Sequence, residues 1–138
     1  MRGTPQNMKQ NTHYAAVTHD VIKSLSEKTY LAKKKGINDI IIDPGFGFAK
    51  TLEQNYQLLN QLDLFQSFDL PILVGVSRKS MIYKLLKTTP KEALNGTTAL
   101  NTIALLQGAN IIRVHDVKEA MECVTLVSQL KVTAKACF

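Results

Sequence analysis

Three short apolar segments recur along the chain, and each runs directly into glycine, proline, hydroxyl or charged residues. They cover residues 37–42, 71–76 and 111–115, with helix-like periodicity between them. Neighbouring parallel strands need a crossover connection, and an intervening helix supplies it. The pattern therefore predicts an α/β fold in which parallel strands alternate with helices. In such sheets ligands gather at the carboxyl ends of the strands, where the polar residues of this chain lie.

Caps and apolar spacing mark the predicted helices, which cover residues 13–35, 51–62, 77–86, 89–107 and 116–131. The first ends at Gly36, in the usual position after a helix, and its apolar stripe consists of Ala16, Val17, Ile22, Leu25, Tyr30 and Leu31. The second and fourth open with capping-box spacing, at Thr51 and Thr89. Two architectures fit this order: an open doubly wound sheet, or part of a closed eight-stranded barrel. A complete barrel takes about 250 residues, and this chain has 138.

Composition narrows the class of protein. The net charge is +6, but the cations are dispersed, and the run Lys33–Lys35 falls at a predicted helix end. No zinc-finger pattern or interleaving of basic and aromatic residues is present, so nucleic acid is a weak candidate partner. No apolar run approaches the roughly 20 residues that span a bilayer. The start lacks the apolar region of a secretory signal, so a cytoplasmic location and no membrane partner are expected.

The two cysteines and two of the three histidines are not candidate functional residues. Cys123 and Cys137 have no second pair with which to form a zinc site or a disulfide framework, and both are interpreted as structural. His13 and His19 fall on the first predicted helix and are interpreted as surface or packing residues.

The first strand end carries Asp43, followed by Pro44, Gly45 and Gly47. The proline holds Asp43 out of helical conformation, and the glycines allow the backbone to approach a flat ligand closely. A buried carboxylate there can accept hydrogen bonds from the amidine-like edge of a pterin or guanine. An equally open interpretation is that Asp43 caps a turn. The missing third glycine excludes a dinucleotide fingerprint.

Cations mark the other two strand ends. Arg78 and Lys79 lie where a helix begins, which favours an anion there, although both side chains could instead reach solvent. Arg113 and His115 alternate with apolar residues and therefore share one strand face. An arginine on such a face needs a counter-charge, and a diphosphate would suit both side chains. Asp116 is interpreted as the cap of the last helix.

Residues 42–48, 74–80 and 111–117, in this order and spacing, closely resemble dihydropteroate synthase, and Met1–Pro5 is similar to another segment of that family. The resemblance covers the whole chain. It implies one domain over residues 1–138 that forms the C-terminal half of a TIM (β/α)8 barrel. The implied enzyme joins p-aminobenzoate to 6-hydroxymethyl-7,8-dihydropterin diphosphate and releases pyrophosphate, with Mg²⁺ as cofactor.

The resemblance also implies roles for individual residues. Asp43 would hydrogen-bond the pterin ring, and Lys79 would contact it from the opposite side. Arg113 would lie along the pterin and, with His115, bind the diphosphate. Lys79, Arg113 and His115 would carry catalysis, which is mainly charge stabilisation and positioning in a dissociative reaction. The aminobenzoate would bind to Gly47, Phe48 and Ser80, with its carboxylate at Ser80, at the N-terminus of a helix.

Departures from the family pattern qualify this expectation. Nothing corresponds to the first four strands, which in the family supply the asparagine near the metal, so no metal ligand is expected in this chain. Ala49 replaces a usual glycine, which is expected to be a minor change. Half a barrel would expose unpaired strand edges and an open interior face. The chain is therefore expected to be inactive alone and to form a homodimer or domain-swapped oligomer.

Two alternatives remain open. One is a related pterin-binding barrel of the methyltransferase type, which would share the carboxylate but has no need of a cationic diphosphate site. The other is a non-catalytic half-barrel that assembles with another chain.

Overall fold

Helices dominate residues 12–135, the part of the chain that the computed structural model describes. The α-helices are α1 (Val17–Lys34), α2 (Leu52–Asn60), α3 (Ser80–Tyr83), α4 (Leu94–Leu106) and α5 (Val117–Lys135). Short 3₁₀ helices cover Leu62–Phe68 and Pro90–Glu92, and the strands are β1 (Leu73–Val74) and β2 (Ile111–Ile112). The segment Met1–Pro5 and Cys137 lie outside the described residues, so the single domain over 1–138 stays a prediction.

The strands pair in parallel, as the alternation of elements predicts. Leu73 lies opposite Ile111, and the segment before Asp43 joins the other edge of β1 through a single bridge between Ile42 and Ile72. The predicted strands at 37–42, 71–76 and 111–115 are therefore too long. Strand structure needs a paired neighbour, and residues 37–41 have no strand partner within the described part of the chain.

Local caps set the helix boundaries more reliably than periodicity does. Thr51 and Gln54 form the predicted capping box of α2, with the Gln54 amide donating to Thr51 Oγ1 at 3.2 Å and the Thr51 amide to Gln54 Oε1 at 2.9 Å. The capping box at Thr89 is also confirmed, but it opens a 3₁₀ turn that precedes α4. The helix predicted over 77–86 shrinks to the four residues of α3.

The apolar stripe predicted for α1 is only partly correct. Val17 is buried, and Ile22 and Leu25 pack against the core, but Tyr30 is 66% exposed and Leu31 is 55% exposed. The helix has 18 residues and packs against α2, which has nine. Its last turns therefore extend past this neighbour.

The core lies between the helices and one face of the strands. Alternate residues of the central strand region, Ile72, Val74 and Val76, are buried in it together with Ile42, Phe46, Leu58, Leu62, Phe65, Met81, Ile82 and Ala104. Cys123 packs in a second cluster against α4, as expected of a structural cysteine, and the side chains of His13 and His19 are exposed. No helix within residues 12–135 is long and apolar enough to cross a membrane.

The opposite face of the strands is open. Ile41 is exposed, Ile111 is at the border of exposure, and Arg113 and His115 lie further along the same face. This division into a covered and an open face places the polar strand ends together.

Candidate functional site

The carboxylate at the first strand end and the arginine at the third face each other. Arg113 Nη2 lies 3.6 Å from Asp43 Oδ2, and the two side chains remain 59% and 35% exposed. An ion pair so open to solvent contributes little to stability. Both groups are accessible to a ligand.

The interpretation of Asp43 as a turn cap is confirmed, and its second carboxylate oxygen remains available to a ligand. The amide of Gly45 donates to Asp43 Oδ1 at 2.8 Å, which is the hydrogen bond of a turn cap. The other carboxylate oxygen is the one that faces Arg113. One oxygen therefore fixes the side chain, and the second is directed into the site.

The glycine loop after Asp43 is held by two residues that the sequence analysis missed. Lys50 Nζ donates to the carbonyl oxygens of Pro44, Gly45 and Phe48, at 3.1, 2.8 and 3.2 Å. The buried Asn55 accepts from the amide of Gly47 at 2.7 Å. The polar Asn55 between apolar positions of α2 was the available signal, whereas nothing local marks Lys50.

Backbone conformation explains the residue types of this loop. Gly45 and Gly47 have φ values of +76° and +78°, in the left-handed region where a side chain is unfavourable. Ala49 also lies there, at φ +50°. The exchange from glycine that was expected to be minor therefore places a Cβ atom in an unfavourable conformation.

Lys79 connects the second strand end to the glycine loop. Its Nζ donates to the carbonyl oxygen of Phe46 and lies 4.7 Å from the centroid of the Phe48 ring, a cation–π contact. Burial lowers the pKa of Lys79, the nearby Asp43 carboxylate raises it, and the charge of Arg113 lowers it further. The net shift is downward, so the charged ammonium is held in an environment that would favour an added anion.

Arg113 lies flat against the backbone of the neighbouring strand. A Cβ atom built on Gly75 would be 3.1 Å from Arg113 Nη2 and 3.2 Å from Nε. The absence of a side chain at Gly75 thus makes room for the guanidinium. Sequence analysis did not single out Gly75, because a glycine between apolar strand residues has several explanations.

His115 lies two residues after Arg113 and faces Ser77, which lies two residues after Gly75. Its ring Nδ1 lies 2.9 Å from Ser77 Oγ, and its backbone amide donates to the same oxygen at 3.1 Å. Arg113 therefore covers Gly75, and His115 covers Ser77. The predicted shared face of Arg113 and His115 is confirmed.

Arg78 is turned away from Lys79 and is satisfied by the protein itself. Its Nε and Nη2 donate to the two carboxylate oxygens of Asp116, and Nη1 donates to the carbonyl oxygens of Pro90 and Lys91. The hydrogen bonds raise the pKa of Arg78 and lower that of Asp116. The anion that joins Arg78 is therefore the carboxylate of Asp116 and not a ligand, and the side chain is 23% exposed.

Asp116 likewise differs from its interpretation as a helix cap. Its backbone carbonyl accepts from the amide of Ala120 at 3.1 Å, in the manner of a helix start. Its carboxylate, however, is engaged by Arg78 from a position 38 residues earlier. Local spacing could not reveal so distant a partner.

The residues assigned to the aminobenzoate lie around Lys79. Phe48 lies under its ammonium, Gly47 is so close that a Cβ atom there would be 3.0 Å from Lys79 Cδ, and Ser80 follows as the first residue of α3. All three are half-buried. The predicted residues therefore surround one position.

No three His, Cys, Asp or Glu side chains in the described range 12–135 come together in a way that could hold a metal ion. The residues of this site present cations and one carboxylate, which suits an anionic ligand better than a metal.

Comparisons with known proteins identify the family of this chain. Residues 1–115 match the family model described as pterin binding enzyme. The dihydropteroate synthase of Escherichia coli (strain K12) is 46% identical over 129 residues, which are 92% of this chain and 46% of that protein.

Solved structures agree in fold. The dihydropteroate synthase of Yersinia pestis in a sulfonamide drug complex has a TM-score of 0.93 at 41% identity, over 96% of this chain and 49% of that one. The enzyme of Thermus thermophilus in complex with 4-aminobenzoate has a TM-score of 0.89 at 33% identity, over 93% and 53%. The chain thus spans about half the length of these relatives. By the match over residues 1–115, this chain belongs to the pterin-binding enzyme family.

Proposed function

We propose that the chain provides the pterin and diphosphate half of a dihydropteroate synthase site. The reaction joins p-aminobenzoate to 6-hydroxymethyl-7,8-dihydropterin diphosphate and releases pyrophosphate. The observation that carries this proposal is the convergence of Asp43, Lys79 and Arg113, with the guanidinium and carboxylate 3.6 Å apart and open to solvent. Relatives of the same name, at 46% identity over 129 residues, support it.

The pterin would bind at Asp43. Oδ1 is occupied by the amide of Gly45, whereas Oδ2 faces the site and can accept from the amino-pyrimidine edge of a pterin. The adjacent Lys79 ammonium can bind the other side of the ring. The contact between Asp43 and Arg113, at 3.6 Å, is longer than a good hydrogen bond. A ligand that binds Oδ2 therefore displaces only a weak interaction.

The diphosphate would bind at Arg113 and His115. Both lie on the open strand face, and the forked guanidinium matches phosphate oxygens. As the bond to the diphosphate breaks, negative charge grows on the leaving group, and cations already in place stabilise it. Lys79, Arg113 and His115 are the proposed catalytic residues. The amine of p-aminobenzoate is the nucleophile and gives its proton to the released pyrophosphate or to solvent, so no side-chain nucleophile is needed.

The aminobenzoate would bind beside the Phe48 ring, against Gly47, with its carboxylate near the Ser80 hydroxyl. The neighbouring structures with 4-aminobenzoate and with a sulfonamide drug support this class of ligand.

The fold would be the C-terminal half of a TIM barrel. Its strand face is open at Ile41 and Ile111, and residues 37–41 leave a strand edge unpaired within the described region. Such surfaces invite association. We therefore propose that the chain alone is inactive and forms a homodimer or a domain-swapped oligomer.

Magnesium remains a proposal, with its ligands expected from outside residues 12–135, since no three His, Cys, Asp or Glu side chains in that range are grouped so as to hold a metal ion. No step above depends on a metal. The cytoplasmic location and the absence of nucleic-acid and membrane partners also stay predictions.

Calorimetric titration of the chain with inorganic pyrophosphate tests the proposal. Replacement Arg113→Ala should weaken binding at least tenfold, since charge-assisted hydrogen bonds are lost. Lys118→Ala, which removes an exposed cation from α5, is the matched control and should leave the affinity unchanged. Equal losses in both variants would show that pyrophosphate binds only through the overall charge of +6. A methyltransferase-type pterin site would not bind pyrophosphate at all.

Turnover with both substrates, measured beside size-exclusion chromatography at low concentration, tests the assembly. Clear activity from a monodisperse monomer would refute the proposed half-site.

A further inference from the structure

The hydroxyl of Ser77 is in contact with His115 twice. Ser77 Oγ accepts from the His115 backbone amide at 3.1 Å and lies 2.9 Å from ring Nδ1. Ser77 is only 4% exposed, so bulk water does not compete for its hydroxyl. The side chain of Ser77 thereby contacts both the backbone and the ring of His115, which follows the neighbouring strand.

This arrangement determines where the hydroxyl proton goes. A serine hydroxyl has one proton to donate and two lone pairs that accept. The amide of His115 uses one lone pair, and within residues 12–135 Nδ1 is the acceptor at hydrogen-bond distance from the oxygen. A buried hydroxyl proton without an acceptor is unfavourable, so the O–H bond is directed at Nδ1. Nδ1 then accepts, and in the neutral ring Nε2 carries the hydrogen.

We propose that Ser77 is a positioning residue that selects the Nε2–H tautomer of His115. The ring nitrogen away from Ser77 becomes a hydrogen-bond donor on the exposed side of the ring. The opposite tautomer would turn a lone pair toward an anionic oxygen and repel it. That a diphosphate oxygen accepts this hydrogen bond rests on the proposed function, whereas the selection of the tautomer does not.

A second link keeps the two strand ends in place. Arg78 and Asp116, each one residue further along than Ser77 and His115, are joined at 2.9 and 2.7 Å. This bidentate pair limits sliding or separation of the two segments. The contact between Ser77 and His115 is therefore supported by a neighbouring crosslink.

Nitrogen NMR of the whole chain with ¹⁵N-labelled histidine tests the tautomer directly. Spectra are recorded above the titration range of the ring, with the His115 signals assigned by loss in His115→Gln. We expect an unprotonated Nδ1 and a protonated Nε2, with less of the other tautomer than in a blocked histidine amide in the same buffer. An Nδ1–H tautomer, or the proportions of the blocked amide, would overturn the proposal without any variant.

Variants identify the hydroxyl as the cause. Ser77→Ala should shift the His115 signals toward those of the blocked amide, and Ser77→Thr, which keeps a hydroxyl, should restore the native pattern. Ser67→Ala is the matched control, because Ser67 donates to the Leu64 carbonyl on a distant 3₁₀ helix. Unchanged signals in a folded Ser77→Ala chain would contradict the role of Ser77.

Titration with inorganic pyrophosphate separates this inference from the proposed function. We expect the native chain to show a shift at His115 Nε2, and folded Ser77→Ala to bind three- to tenfold more weakly. Its melting temperature should fall, because the amide of His115 loses its acceptor. If the native tautomer is as expected but pyrophosphate causes no shift, the proposed function fails and the selection of the tautomer stands. If pyrophosphate binds equally to Ser77→Ala, the positioning role in ligand binding is wrong.

Discussion

The guanidinium of Arg78 donates two hydrogen bonds to the carboxylate of Asp116, at 2.9 and 2.7 Å, and so joins the segment between β1 and α3 to the start of α5. The same guanidinium also donates to two carbonyl oxygens near Pro90. Arg78 has φ +52°, a conformation that is uncommon outside glycine. These hydrogen bonds hold the backbone between Ser77 and Lys79, two residues of the site, in that conformation.

Asp116→Asn should lower the melting temperature at neutral pH and flatten its dependence on acid. Hydrogen bonds from Arg78 lower the pKa of Asp116, so its stabilisation is present above the ordinary aspartate pKa and is lost as pH falls through the lowered value. Thermal unfolding followed from pH 7 down to pH 2 measures this difference. Asp63→Asn, at an exposed site on the first 3₁₀ helix, is the control. Parallel curves for native and Asp116→Asn chains would contradict the prediction.

Lys79→Met should weaken pyrophosphate binding less than Arg113→Ala does, because the Lys79 ammonium is proposed to contact the pterin, and it should not lower the melting temperature at neutral pH. Burial lowers the pKa of Lys79, so the unfolded chain binds more protons than the folded chain below the ordinary value of 10.5. The native chain should therefore gain stability as pH rises through the lowered pKa toward that value, and the variant should lack this gain. Lys84→Met replaces an exposed lysine as the control. A large fall in stability with an unchanged pH slope would count against this account.

Gly75→Ala should weaken pyrophosphate binding about tenfold, a loss of about 1.4 kcal/mol, with little effect on folding. The new Cβ atom would lie 3.1 Å from Arg113 Nη2, so the guanidinium has to move, and its exposure allows it to do so. Calorimetry and thermal unfolding measure the two effects. Native affinity in this variant would show that the position of Arg113 over Gly75 is unimportant.

Gly96→Ala should lower stability and leave pyrophosphate binding nearly unchanged, and it serves as the comparison for Gly75→Ala. A Cβ atom at Gly96 would lie 2.4 Å from Cγ2 of the buried Ile82, between α4 and α3. Overpacking of this kind costs about 1–3 kcal/mol. Chemical denaturation should detect that loss while pyrophosphate affinity, measured on the folded protein, changes little. A variant as stable as the native chain would show that this helix contact is loosely packed.

Ala49→Gly should change the free energy of unfolding by less than about 1 kcal/mol. Relief of the left-handed backbone conformation is worth about 1–2 kcal/mol. The greater freedom of glycine in the unfolded chain costs about 0.4–1 kcal/mol, and loss of the methyl group of Ala49, which is 3% exposed, costs about 0.8 kcal/mol. Denaturant unfolding measures the net change. Ala99→Gly, on the exposed side of α4, is the control and should destabilise by about 1 kcal/mol. Equal losses for both variants would contradict the strain at Ala49.

Sequence predicted the features that short spacings determine. The capping box at Thr51, the helix end at Gly36 and the common face of Arg113 and His115 all depend on residues within four positions of one another. The pairing of Arg78 with Asp116 could not be predicted in this way, since it joins residues 38 positions apart.

Chain geometry in three dimensions accounts for the remaining errors. Lys50 gathers three loop carbonyls only because the glycine loop curls around its ammonium. Tyr30 and Leu31 match the apolar period of α1, but their burial depends on a neighbour that α2 is too short to provide. Periodicity indicates which face of a helix can be buried, whereas contacts with neighbouring elements determine how much of its length is buried.

The two faces of residues 72–77 respond to different requirements. Ile72, Val74 and Val76 are packed under the helices, whereas Gly75 and Ser77 lie beneath Arg113 and His115. Successive residues of this segment therefore serve folding and ligand binding in turn. Substitutions at Gly75 and Ser77 can alter what the protein recognises while its apolar neighbours preserve the fold, so this segment is a natural starting point for engineering specificity.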